Sequence, residues 1–260
     1  MILQLLLSVT TSFAQNITYC PTNCTCIVNQ LRDLSSVNCL DESYDDMPDN
    51  MPSNVSRIDM SRNQFTSFSI KAIEAYAKTL GSLTLKNNRI RRFDMATSGI
   101  EFNSMTDIDV SYNQIQYIDW KMLLYYPKLR TFRINGNKLT SLTGVLSNIK
   151  PGLVLYLLDN PFYCSCQAIK FTKYVTRQNM RHQFAKFDKM MCKTNNPLPN
   201  TIQSEHLAQL TGVDDCEPEN LYFSVYDRGS GKTLTTNVTG EYILPLGSRN
   251  GEERRYRRTN

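Results

Sequence analysis

The chain has 260 residues, 41% of them hydrophobic and 20% charged, with a formal net charge of +5. That length suits one large domain or two ordinary ones, and that composition can bury a core. The charge surplus is too thin to imply nucleic acid, so no nucleic-acid partner is expected. The eight Cys form two groups of four near opposite ends, with none between Cys39 and Cys164. This argues against a cytosolic housekeeping enzyme and against a disulfide-dense miniprotein, whose bridges would be spread through the fold.

Residues 1–14 hold an apolar run that closes on small residues, with Ser12 and Ala14 at the −3 and −1 positions before Gln15. This reads as a secretory signal peptide. The expected location is secreted or extracellular, or the cell surface if an anchor follows Asn260. Asn16, Asn23, Asn54 and Asn237 each open an Asn-x-Ser/Thr glycan acceptor, which suits export. After the leader, no segment approaches the ~20 apolar residues that a membrane span needs.

Residues 15–50 carry Cys20, Cys24, Cys26 and Cys39, with one basic and six acidic side chains, a local −5. Residues 51–160 repeat one unit. It reads Val55-x-x-Ile58-x-Met60-x-x-Asn63-x-Phe65, then Leu80-x-x-Leu83-x-Leu85-x-x-Asn88-x-Ile90. Met105, Ile108, Val110, Asn113 and Ile115 keep the same spacing, as do Leu129, Phe132, Ile134, Asn137 and Leu139. The last unit is degenerate: Leu155, Leu157, Asn160 and Phe162 fit, but Gly152 stands where the first apolar residue belongs. Each alternating apolar pair predicts a short strand with one face on the core. Between units, Ile70, Ile73 and Ala77 recur at helical spacing, as do Ile118, Met122 and Tyr125. These segments predict short helical turns behind the strands, with Trp120 packed among them. Residues 161–216 hold Cys164, Cys166, Cys192 and Cys216.

The repeated unit resembles the leucine-rich repeat. The two cysteine groups resemble the N-terminal and C-terminal caps of extracellular leucine-rich repeat proteins. The second group opens Asn160-Pro161-Phe162-Tyr163-Cys164-Ser165-Cys166, close to the usual start of such a cap. The resemblance implies an α/β fold: a short horseshoe-like solenoid whose strands form a parallel concave sheet between two disulfide-bonded caps. It implies that Asn63, Asn88, Asn113, Asn137 and Asn160 form a buried ladder bonded to neighbouring backbone. It also implies the pairs Cys20–Cys26, Cys24–Cys39, Cys164–Cys192 and Cys166–Cys216. Spacing alone leaves three pairings for each group of four, and leaves zinc as a rival use of the thiols. The leader and the position of each group at an end of the array favour bridges.

Catalytic chemistry has little to stand on. His182 and His206 are the two histidines, and neither lies in a recognisable nucleophile or metal motif. Gly229-Ser230-Gly231-Lys232-Thr233 imitates the end of a phosphate loop, but Tyr226 stands where such a loop needs Gly. No catalytic residue, metal or cofactor is expected. Lys170, Lys173, Arg177, Arg181, Lys186 and Lys189 read as a solvated basic face.

Binding is the expected activity. The register places Arg57, Asp59, Lys86, Asp107, Asp109, Arg133 and Tyr156 on the concave face, together with Ser61, Thr84 and Ser111. Arg and Tyr are common interface hot spots, and a rigid sheet preorganises them. The resemblance implies non-catalytic recognition of an extracellular protein ligand or cell-surface partner. The rival expectation is a structural matrix protein. Residues 217–260 read as a disordered tail or a linker to a missing segment, with a basic stretch at Arg254–Arg255 and Arg257–Arg258.

Overall fold

The computed structural model describes residues 20–29, 31, 33–95, 99–164, 166–193 and 204–206, and three short strands beyond them. It is a mixed α/β fold built on a mostly parallel sheet. Two strands lie in the acidic N-terminal segment, β1 (Thr25–Asn29) and β2 (Leu34–Asn38). β3 (Val55–Asp59) precedes β4 (Ser67–Ser69), and β5 (Ser82–Thr84) precedes β6 (Arg92–Asp94). β7 (Asp107–Asp109), β8 (Thr131–Arg133) and β9 (Val154–Tyr156) follow.

The main sheet has the order β1-β2-β3-β5-β7-β8-β9. β1 and β2 form an antiparallel hairpin, and every later pairing is parallel. The register puts Val37, Ile58, Leu83, Ile108, Phe132 and Leu155 in one line, all fully buried. This is the inward column of the repeated pattern. Burying each such side chain contributes roughly 1.5–3 kcal/mol. The N-terminal segment therefore adds a rung of its own. The Cys39 amide donates to the Asp59 carbonyl at 2.8 Å, as the Met60 amide donates to Thr84 and the Leu85 amide to Asp109. In the last unit, Gly152 adopts a positive φ of 82°, and Leu153 is buried beside it.

The connecting segments form 3-10 turns, at Ile70–Ala72, Glu74–Tyr76 and Trp120–Tyr125. The first and third are capped by the side chains of Ser69 and Asp119, which accept the amides of Lys71 and Lys121. Such caps occupy amide donors that a helix start leaves unpaired. Ile70, Ile73, Ala77, Ile118, Trp120 and Met122 are buried, and Tyr125 is half-buried. β4 and β6 pair in parallel behind the main sheet and stack Phe68 on Phe93 with ring centroids 5.9 Å apart. Trp120 meets Phe132 edge-on at 6.2 Å, which ties this second layer to the strand core. Tyr126 is fully buried, and its hydroxyl donates to the Met95 carbonyl at 3.0 Å. Burial, with the negative charges of Asp94 and Glu74, holds its phenol neutral well above the usual range.

After β9 come β10 (Phe162–Tyr163) and the amphipathic helix α2 (Cys166–Arg177), preceded by the single turn α1 (Val145–Asn148). β11 (Met191–Lys193) pairs parallel with β10 and antiparallel with β12 (Ser204–His206). Phe184 bridges to Leu155, and the Ala185 amide donates to the Leu155 carbonyl at 2.9 Å, so this segment covers the far edge of β9. Phe171, Phe184 and Phe187 form a compact aromatic cluster beneath it.

Among the described residues, three disulfides staple the two ends: Cys20–Cys26, Cys24–Cys39 and Cys164–Cys192. They consume six of the thiols that zinc would have needed. The expected Cys166–Cys216 pair lies outside the described residues. Within residues 217–260, β13 (Phe223–Asp227), β14 (Lys232–Thr236) and β15 (Tyr242–Ile243) form a small antiparallel sheet. Lys232 and Thr233 open a strand there, whereas a phosphate loop would lead into a helix. Among the described residues, no helix is long and apolar enough to cross a membrane.

Candidate binding face of the main sheet

The five Asn side chains set the geometry of each unit. Asn113 is 5% exposed. Its Nδ2 donates to the carbonyls of Leu85 at 2.9 Å and Val110 at 3.0 Å, and its Oδ1 accepts the Ile90 amide at 2.9 Å. Asn88, Asn137 and Asn160 make the same three bonds in their own units. Asn63 binds the N-terminal segment, donating to the Cys39 carbonyl and accepting the amides of Glu42 and Tyr44. Each amide is satisfied by backbone that the fold would otherwise leave unpaired, which is how a buried amide becomes tolerable.

The residue before each Asn has a left-handed backbone: Arg62, Asn87, Tyr112, Gly136 and Asp159 have φ between 55° and 67°. Asp41 repeats this in the N-terminal rung, with φ 65°. The conformation is ordinary for Gly and Asn and strained for a bulky side chain. Arg62 and Tyr112 are the bulky cases, and Tyr112 is the aromatic one. Its ring lies where a Cβ on Gly136 would stand, 2.5 Å from that position, so glycine is required there.

The outward face carries two rows in register. One runs Arg57, Ser82, Asp107, Thr131, Val154, and the other Asp59, Thr84, Asp109, Arg133, Tyr156. Parallel neighbours are about 4.8 Å apart, so these side chains touch across rungs. The Arg133 guanidinium stands 5.0 Å from the centre of the Tyr156 ring and 3.9 Å from an Asp107 carboxylate oxygen. The Lys86 ammonium stands 5.4 Å from the centre of the Tyr112 ring. Two cations are thus parked on two aromatic rings at neighbouring positions, which holds long side chains in place before any partner arrives.

Not every expected face residue is available. Ser61 and Ser111 are buried, 6% and 2% exposed. Each donates its amide and hydroxyl to one carboxylate oxygen, of Asp59 and Asp109 respectively. Those carboxylates therefore brace the turn after their strands. Arg57 is exposed, and Lys86, Asp107, Arg133 and Tyr156 are half-buried. Tyr112 is not among the expected face residues, because it lies outside the alternating pattern. The clue was available in its place before an Asn, where three of the other four units carry Gly, Asn or Asp.

The acceptor asparagines differ in setting. Asn23 is exposed. Asn54 is half-buried, with its amide nitrogen bonded to the Asp33 carbonyl and carboxylate and its oxygen accepting the Ser35 hydroxyl at 2.9 Å. Asn16 and Asn237 lie outside the described residues. His182 is exposed, its Nδ1 3.0 Å from the Asn179 carbonyl.

No protein-family model matches the chain, and no curated protein matches it either.

Proposed function

We propose that the chain is an extracellular recognition module of the leucine-rich repeat type, a short solenoid closed by two disulfide caps. In this reading it binds a protein partner through the outward, concave face of its main sheet. The observation that carries the reading is the contrast within each unit. Inward positions repeat apolar character and the same Asn, while outward positions change in chemistry from rung to rung. A scaffold under structural demand alone has no need of the Arg133–Tyr156 and Lys86–Tyr112 pairs on its open face. The disulfides fit an oxidising compartment. The described residues supply ion pairs, rings and hydrogen-bonding groups on a rigid surface, and recognition needs nothing more.

The test is a double substitution, Arg133→Glu with Tyr156→Ala, in the secreted chain. A fluorescent multimer of the wild type is screened against displayed cell-surface and secreted proteins, and any partner found is titrated with the variant. The variant should lose binding by roughly a hundredfold while its thermal midpoint stays put. A variant that binds as the wild type does would remove the sheet face as the site.

A further inference from the structure

The chain leaves each buried Asn along a second surface, beside the outward face. The Arg89 amide donates to the Phe65 carbonyl, the Gln114 amide to Ile90 and the Lys138 amide to Ile115. Successive units are thereby laid side by side here as well. Phe65, Ile90, Ile115 and Leu139 point inward and are buried. The side chains flanking them make two outward rows. One runs Gln64, Arg89, Gln114, Lys138, and the other Thr66, Arg91, Gln116, Thr140. All are exposed except Gln114, which is half-buried.

Neither row contains a carboxylate or an aliphatic side chain. That is unlike the sheet face, where Asp59, Asp107 and Asp109 interleave with the cations. Arg91 donates through Nε to the Gln114 amide oxygen at 3.1 Å, which orients the guanidinium and leaves its outer nitrogens free to bond elsewhere. Arg92 continues the basic side next to Ser67, and Tyr117, 74% exposed, follows Gln116. Among the described residues, carboxylates stand past the borders, at Asp45 and Asp46 on one side, at Asp159 on the other, and at Asp94 and Asp119 further along the chain.

We propose that this flank binds a linear sulfated polysaccharide. Arg and Lys supply the charge for sulfate groups, and Arg can do so with paired donors. Gln and Thr side chains offer donors and acceptors that match sugar hydroxyls, and an exposed Tyr offers a flat face to a ring. Units about 4.8 Å apart place Arg89 and Lys138 roughly 10 Å apart along a line, a spacing for a linear chain. A lipid surface would favour apolar side chains able to enter the bilayer beside the cations, and the rows have none.

The experiment applies the secreted chain to immobilised heparin, to desulfated heparin, to a sulfonate cation exchanger and to phosphatidylserine vesicles. Heparin should retain it to higher salt than the sulfonate resin, and desulfated heparin should not. Arg89→Ser, Arg91→Ser and Lys138→Ser together should raise the dissociation constant for heparin by about tenfold or more. Arg177→Ser, Lys189→Ser and Lys193→Ser, which remove the same charge elsewhere, should leave it unchanged. If the triple variant is not secreted, Arg89→Ser and Lys138→Ser are tested singly, and each should lower the eluting salt. Equal elution from both resins, vesicle binding as tight as heparin binding, or an equal loss in the control variant would each overturn the proposal.

Discussion

The buried Asn column and the outward sheet face are built by the same five units, yet one repeats and the other does not. Asn88, Asn113, Asn137 and Asn160 make the same three bonds at nearly the same lengths. The row from Asp59 to Tyr156 holds an acid, a hydroxyl, an acid, a cation and an aromatic. The difference follows from what each side faces. An inward amide must satisfy two carbonyls and one amide whose positions the stacking dictates, so only Asn fits. An outward side chain meets water on one side and can change without disturbing the stack.

This contrast can be broken most severely from the inside. Asn113→Leu keeps the volume and removes every bond, leaving the Ile90 amide buried and unpaired and the Leu85 and Val110 carbonyls with one donor each, Nδ2 of Asn88 and of Asn137. It should cost about 3 kcal/mol, read as a lower midpoint in urea with an unchanged slope. A loss below about 1 kcal/mol would show that water replaces the amide and that the column is not what fixes the units. A smaller loss comes from the seam between the two regions. Gly136→Ala sets a Cβ against the Tyr112 ring in a backbone region that resists side chains, and should cost about 1–3 kcal/mol. Adding Tyr112→Gly should return part of that loss, because the clash and one strained residue vanish together. Strict additivity of the two substitutions would deny the contact.

The smallest effect has the opposite sign. Tyr112→Asn relieves the left-handed strain of a bulky residue and should stabilise the chain by about 0.5–1 kcal/mol. It also removes the ring beneath Lys86, so binding by the proposed face should weaken while the thermal midpoint rises. That trade-off would mark Tyr112 as kept for recognition. Lower stability together with unchanged binding would mark it as a packing residue instead.

Much of the interior was legible before any coordinates. The spacing of Ile58, Leu83, Ile108 and Phe132 announced strands of one kind, and the structure aligns them in one buried line. The first rung escapes the repeated pattern because Glu42 stands where the later units place Asn, and Cys39 where they place Met, Leu, Val or Ile. The structure shows that the same backbone bonds continue through both. Alternation places Ser61 and Ser111 outward, but the strands end before them. There the chain turns, and the serines are drawn inward onto Asp59 and Asp109.

What the sequence settled by itself was the periodic part. A side chain that recurs at a fixed spacing must answer a demand that recurs, and burial against a neighbouring copy is such a demand. Tertiary structure alone decided which residues of different units become neighbours outside that pattern. Arg133 reaches Tyr156, Lys86 reaches Tyr112, and Arg91 reaches Gln114, each about one unit away in the chain. The flank of Arg89, Arg91 and Lys138 exists as a surface for the same reason. Parallel stacking turns positions more than twenty residues apart into contacts a few ångströms long, and no local pattern carries that information.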